Sequence, residues 1–324
     1  MFTNMIATLK ADKRKLVFPE GTDHRILKAA ERLHKEEILA PILLGNKEEI
    51  EAAAKEHNCN IEGIEIIDPL DYPDMEAMVK KMAELRKGKM DEDACREALK
   101  RTNYFGTMLV QMGYADALLG GATYSTADTV RPALQLIKTK PGKKIVSSSF
   151  IMVRPAKEGG LELYVMGDCA INIDPSVEDL VEITLETART AKVFSIEPKV
   201  ALLSYSTLGS GAGEAVDKVR SAAEQLMAMD LDFLVDGELQ FDAAISPTVA
   251  KTKASKSPVA GQANTFIFPD INSANIGYKI AQRLGGFEAV GPILQGLNAP
   301  INDLSRGCNT EEVYKMAIVT TALK

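Results

Sequence analysis

Histidine is scarce in this 324-residue chain: His24, His34 and His57 are the only three, and all lie in its first fifth. They form no HExxH or similar pattern. That argues against a metal site and against any Ser-His or Cys-His nucleophile that needs a histidine further along. Cysteine is sparse too. Cys59, Cys95, Cys169 and Cys308 show no pairing pattern and suit a reduced, intracellular setting. No apolar run approaches the length of a membrane span. The opening "MFTNMIATLKADKRK" lacks an apolar stretch followed by a cleavage site, so no export signal is read and the cytoplasm is the expected compartment. Positive charge is in deficit. A net charge of -7 disfavours a nucleic-acid partner, and any anionic ligand must be met by local positive charge.

What is present is ordinary for a globular protein: 46% hydrophobic and 26% charged residues, with length enough for two domains or one large one. Short aliphatic runs alternate with amphipathic patterns. "KLVFPEG", "APILLG" and "IEIIDP" read as strands. "HRILKAAERLHKEE", "KEEIEAAAKEH" and "MEAMVKKMAELRKG" read as helices, the first capped near Thr22 or Asp23 and the last ending at Gly88. Later strands are expected at "ADALLGG", "KIVSSSFIMV", "LELYVMGD", "KVALLSYS", "DFLVDGELQ", "NTFIFP" and "AVGPILQG". Strands alternating with helices imply parallel pairing and an α/β sandwich. "KIVSSSFIMVRPAKEGGLELYVMGD" breaks the rhythm. It leaves no room for a helix across Pro155 and Gly159-Gly160, so it reads as a hairpin that opens a second domain near residue 147.

Two βα turns are candidate anion sites. In "LLGGATYSTADTVRPALQ" a buried strand ends at Gly120-Gly121 and a helix starts near Ser125 or Thr126, with Arg131 on its second turn. Free backbone N–H groups and the positive end of the helix dipole suit phosphate there. An ordinary turn, with Ser125 or Thr126 capping and Asp128 completing a capping box, gives the same pattern. "SYSTLGSGAGEAV" has the same layout with Gly209, Gly211 and Gly213, but it is not GxGxxG, so dinucleotide binding is weakly supported. Lys251, Lys253 and Lys256 form a basic segment that suits either the phosphates of a CoA tail or plain solvation. Arg86 and Arg283 sit in last helical turns, where the helix dipole already accounts for them. "NDLSRGCNTEE" is harder to explain. Asn309 with Glu312 makes a capping box. Arg306, beside Ser305 and Gly307, has no such explanation, and a planar guanidinium there suits bidentate contact with phosphate or a developing oxyanion.

Seven stretches together resemble the phosphate acetyltransferase (phosphotransacetylase) family in its short form, which lacks an N-terminal regulatory extension: "PEGTDHRILKAA", "LRKGKM", "GGATYSTADTVRPALQ", "LSYSTLGSG", "DGELQFDAA", "ANTFIFPDINSANIGYKIAQRLGG" and "GPILQGLNAPINDLSRG". They span nearly the whole chain in the family's order. The resemblance implies reversible acetyl transfer between coenzyme A and inorganic phosphate by direct thiol(ate) attack in a ternary complex. Acetyl-CoA, phosphate, acetyl phosphate and CoA are then substrates, and no separate cofactor is needed. It also implies a two-domain αβα sandwich similar to isocitrate and isopropylmalate dehydrogenases, with the active site in an interdomain cleft, in a homodimer. The domains would be 1–147 plus 298–324, and 148–297.

By the same resemblance Ser305 and Arg306 are the catalytic pair. Ser305 hydrogen-bonds the thiol or the intermediate, and Arg306 polarises the acetyl carbonyl or binds phosphate. Arg86 and Arg131 match arginines that bind acyl phosphate or CoA phosphates, Arg283 a CoA-associated arginine, and Ser125 and Thr126 would add phosphate contacts. The family's thiol base is an aspartate seven residues after the serine. Here Glu312 stands in that place, and Asp303 is the second candidate. Three other readings compete: a phosphate butyryltransferase or other acyl-phosphate transferase, a metal-dependent β-decarboxylating dehydrogenase on the same fold, and a non-catalytic ligand-sensing domain. The aspartate cluster and dinucleotide site that the dehydrogenase would want are not clearly seen.

Overall fold

A computed structural model describes residues 2–324. Among them the strands are β1 (Lys15–Phe18), β2 (Ala40–Leu44), β3 (Glu65–Ile67), β4 (Ala117–Gly120), β5 (Ser147–Pro155), β6 (Leu161–Gly167), β7 (Lys199–Leu203), β8 (Leu234–Leu239), β9 (Thr265–Ile267), β10 (Glu288–Gln295) and β11 (Ile301–Asp303). The chain divides into two compact units, 1–142 with 297–324, and 143–296. No helix among the described residues is long and apolar enough to cross a membrane.

The first unit is built on a parallel sheet ordered β11-β4-β1-β2-β3. Its central strands "KLVF" and "ALLG" are buried almost throughout, as expected when helices cover both faces of a parallel sheet. Helix His24–Lys35 starts at Asp23, whose carboxylate accepts from the N–H groups of Arg25 and Ile26. Its buried stripe is Ile26, Leu27, Ala29, Ala30 and Leu33, the spacing of one helical face. Truncating fully buried Leu33 to alanine is expected to cost about 2–5 kcal/mol.

Several elements of this unit are absent from the sequence reading, among them its first helix and its last strand. Helix Phe2–Ala11 buries Met5 and Leu9 one turn apart. Strand β11 is three residues long, follows Pro300 and carries Asn302 and Asp303, so no aliphatic run announces it. Its pairing with β4 makes it a strand, Ile301 opposite Leu118 and Asp303 opposite Gly120. Buried Asn302 is satisfied by donating to Thr320 Oγ1 at 2.9 Å.

The second unit carries a mixed sheet ordered β10-β5-β6-β9-β7-β8. The hairpin is present: β5 and β6 run antiparallel, with Gly159 and Gly160 at positive φ in the turn. Strands β6, β9, β7 and β8 pair in parallel. Strand β10 is antiparallel to β5, which the alternation of strands and helices does not suggest. It nevertheless runs in the same sense as β9, as the intervening helix Ile271–Arg283 requires; its neighbour happens to be the reversed arm of the hairpin. Pro292 sits where the β10 register shifts, and on this edge strand its missing N–H is tolerated. Alternating side chains feed two cores. Phe266 joins Phe150, Met152 and Met166 on one face, while Ile267 joins Ile183, Leu202 and Val219 on the other.

Candidate active site

In the first unit the chain order reverses at β1: β2 and β3 lie to one side, β4 and β11 to the other. Loops leaving the carboxyl ends of strands at such a reversal are where open α/β sheets place ligands. Here those loops are Pro19–Asp23 after β1 and Gly121–Ser125 after β4, with residues 304–309 after β11 alongside.

The N–H groups expected to be free for phosphate are not free. Glu20, buried, fills them: its Oε2 accepts from Gly121 N at 2.9 Å and Ala122 N at 3.1 Å, and its Oε1 from Thr123 Oγ1 at 2.6 Å and from Thr123 N. A carboxylate of the chain takes the place an anionic ligand was expected to take. The same holds in the second unit, where buried Glu238 accepts from Gly209 N and Ser206 Oγ, both at 2.8 Å, and pins the glycine-rich loop. Of the lysine segment, Lys253 is paired with Asp242 at 2.9 Å, and Lys251 and Lys256 are exposed.

The two hydroxyls after β4 are also engaged. Ser125 caps helix Thr126–Pro132 and its Oγ donates to Asp128 at 2.6 Å. Thr126 Oγ1 donates to Asp303 Oδ2 and Thr129 Oγ1 to Asp303 Oδ1, both at 2.6 Å. Asp303 is 2% exposed. Burial raises its carboxyl above the usual value, against the pull of the two threonines, and the charges of Glu20 and Asp128 add to the rise. Gly121 is required beside it: its φ is +98°, and a Cβ there would stand 2.2 Å from Asp303 Oδ1.

Past Asp303 the chain turns outward. Ser305, Arg306 and Gly307 are exposed, with Gly307 N donating to Ser305 Oγ at 3.3 Å. Asn309 and Glu312 form the capping box that starts helix Thr310–Ala322. Only Oε2 of Glu312 is used there, whereas both oxygens of Asp303 are taken. Cys308 is buried, and burial lifts its thiol to about 11 despite the positive charge of Arg25, so it is a poor nucleophile at neutral pH.

The arginines separate into two groups. Arg14, Arg25, Arg32, Arg96, Arg154, Arg189 and Arg220 each hold a carboxylate. Among the described residues Arg86, Arg101, Arg131, Arg283 and Arg306 are in no such ion pair, and Arg101 instead lies over the Tyr104 ring. The remaining four are those singled out from the sequence. Arg131 and Arg306 are exposed on elements that follow the neighbouring strands β4 and β11. Arg86 ends its helix in the same unit, and its Nε is buried without a partner, a group that asks for a water or a ligand. Arg283 ends a helix of the second unit. Sequence reasoning missed Glu20, Thr129 and the Asp23–Arg25 pair. Of these, only the Asp23 cap left a local signal.

Exposed guanidiniums without carboxylate partners, on elements that follow adjacent strand ends, suit an anionic ligand. Residues 1–321 match the phosphate acetyl/butaryl transferase family. The chain is 55% identical over 308 residues to the phosphate acetyltransferase of Bacillus subtilis strain 168, covering 95% of this chain and 94% of that protein. The crystal structure of a phosphotransacetylase from Streptococcus pyogenes superposes with a TM-score of 0.95 at 52% identity, covering 99% of this chain and 97% of that one. A Salmonella typhimurium protein assigned as a 4-hydroxythreonine-4-phosphate dehydrogenase shares the fold alone, with a TM-score of 0.54 at 13% identity, covering 96% of this chain and 100% of that one. The chain is an acyltransferase on a dehydrogenase-like α/β fold. It belongs to the phosphate acetyl/butaryl transferase family.

Proposed function

We propose that the chain catalyses reversible acetyl transfer between coenzyme A and inorganic phosphate, acetyl-CoA plus phosphate giving acetyl phosphate plus CoA. The observation that carries the reading is the pair of exposed, carboxylate-free guanidiniums, Arg131 and Arg306, on elements that follow adjacent strands. The 55% identity to a phosphate acetyltransferase supports acetyl over longer acyl groups.

In the direction of acetyl-CoA synthesis the CoA sulfur attacks the acetyl carbon. A C–S bond forms, the C–O bond to phosphate breaks, and phosphate leaves with the electron pair. A free thiol near pKa 8.5 must lose its proton to a base. Glu312 is the better placed carboxylate, because its Oε1 accepts none of the protein hydrogen bonds among the described residues. Asp303, whose oxygens are both bonded, holds the helix that carries Arg131 in place. Ser305 steadies the thiol or the tetrahedral intermediate. Arg306 faces the developing oxyanion or the departing phosphate, where one preorganised donor is worth about 3 kcal/mol of barrier. Arg86 and Arg131 bind substrate phosphates as bidentate or point contacts, and Arg283, in the second unit, is a CoA contact in its own right. Ser125 and Thr126 border that site. CoA is a substrate, and the cytoplasm and a homodimer belong to the same reading.

A thiol-release assay tests it. Acetyl-CoA should release CoA when phosphate is added, arsenate should substitute for phosphate, and butyryl-CoA should react more slowly. Release that does not depend on phosphate or arsenate would overturn the assignment, and faster turnover of butyryl-CoA would move it to the butyryl transferases.

A further inference from the structure

Arg25 lies in the first turn of helix His24–Lys35, and its side chain is only 15% exposed. Its guanidinium is fully used. Nε and Nη2 grip Asp23 at 3.0 and 2.8 Å. Nη1 donates to the main-chain oxygens of Arg306 at 2.8 Å and Cys308 at 3.0 Å, and Nη2 donates to that of Ala122 at 2.8 Å. One planar group therefore joins the loop after β4 to the loop after β11. Burial alone would raise the Asp23 carboxyl. Hydrogen bonds from the Arg25 side chain and from main-chain N–H groups outweigh that and hold it below the usual range, so the pair stays charged.

We propose that Arg25 is a positioning residue for the reaction, holding the Ser305–Arg306 segment at a set distance from the loop after β4. The strands themselves are tied up to Leu304, whose N–H donates to Gly120 O at 2.7 Å. Beyond it, the bonds of residues 305–307 among the described residues are local, Cys308 N to Ser305 O and Gly307 N to Ser305 Oγ, with one exception. That exception is Arg25 to Arg306 O. An exposed catalytic turn with a single long-range tether depends on that tether for its geometry, and an error of about 1 Å in such a turn can cost about a hundredfold in rate. A core contact needs no arginine. A fork that serves three carbonyls in two loops does need one, and lysine's single ammonium cannot reproduce it.

The inference rests on the catalytic reading of Arg306, and a double-mutant cycle keeps the two separable. Arg25→Gln should lower kcat by about 10- to 100-fold, with KM for CoA and phosphate changed less than about threefold. Arg25→Lys should not rescue it. In an Arg306→Ala background the same Arg25→Gln change should cost less than about threefold, because the group being positioned is gone. Should Arg25→Gln not fold, Asp23→Asn runs the same cycle: asparagine keeps the helix cap but releases the ionic grip on Arg25. Equal fold-losses in both backgrounds, or a loss confined to KM, would overturn the assignment of Arg25 and leave the catalytic reading standing. Wild-type turnover in Arg306→Ala alone would overturn that reading and this inference with it.

Discussion

Thr126 Oγ1 donates to Asp303 Oδ2 at 2.6 Å, joining the first turn of the helix after β4 to the last residue of β11. Thr129 completes the clamp on the other carboxylate oxygen. The buried aspartate thus fixes two loops that carry the proposed chemistry, and its charge is held at a cost.

That cost has a pH signature. The Asp303 carboxyl is raised in the fold above its ordinary 3.8, so the fold favours the protonated form. Its contribution to stability is full below the ordinary value and is lost as pH rises through the folded value. Urea unfolding of wild type and Asp303→Asn from about pH 4 to 8 should show wild type losing ground to the variant as pH rises. A difference independent of pH would remove the burial argument.

Arg306 should be dispensable for folding and not for turnover. Its side chain is exposed and ion-pairs with no described residue, and the tether from Arg25 goes to its main-chain oxygen. Arg306→Ala should lower kcat about 10²–10³-fold, in line with loss of an oxyanion donor. The melting temperature should move by no more than about 2 °C. Near wild-type turnover, or a large drop in melting temperature, contradicts this.

Cys308 should be chemically quiet although it is three residues from Ser305. With its thiol near 11 it is almost wholly protonated at neutral pH. Mass spectrometry after iodoacetamide at pH 7.5 should find it unmodified in the native protein, and Cys308→Ala should keep kcat within about threefold. Rapid alkylation, or loss of turnover in the alanine variant, would point instead to a covalent role.

Glu20 should act as a structural anion. Replacing it with alanine leaves the buried N–H groups of Gly121 and Ala122 unsatisfied, at about 1–3 kcal/mol each, and frees the part-buried N–H of Thr123 to water. Unfolding by denaturant should show that loss, partly recovered when sulfate or phosphate enters the vacated nest. An unchanged midpoint would mean that water serves those groups as well.

Much of the fold was readable because periodicity reports local burial. Runs such as "KLVF" and "ALLG" are short, mostly apolar and followed by Pro or Gly, which suits strands covered on both sides. The helix stripes and the hairpin glycines are equally local. Strand β11 was not readable, because "IND" has no pattern of its own and is extended only because β4 lies beside it. Nor was the antiparallel seat of β10, which depends on which hairpin arm stands at the sheet edge.

The candidate site divides in the same way. On the residues alone only Arg306 stood without a structural explanation, and Arg86, Arg131 and Arg283 were singled out because the stretches that carry them resemble those of a family. The sequence could not say which of the others find acidic partners far along the chain, nor that Glu20 and Glu238 would fill the glycine loops. Residue types, strand and helix periods and caps are properties of a few neighbouring residues, and these the chain determined by itself. Which hydroxyl meets Asp303, which carbonyls receive Arg25 and which N–H groups remain open were decided only when β4, β11 and the turn after β1 came side by side. A hydrogen bond needs its partners within about 3 Å, and only the folded sheet brings residues so far apart in sequence that close.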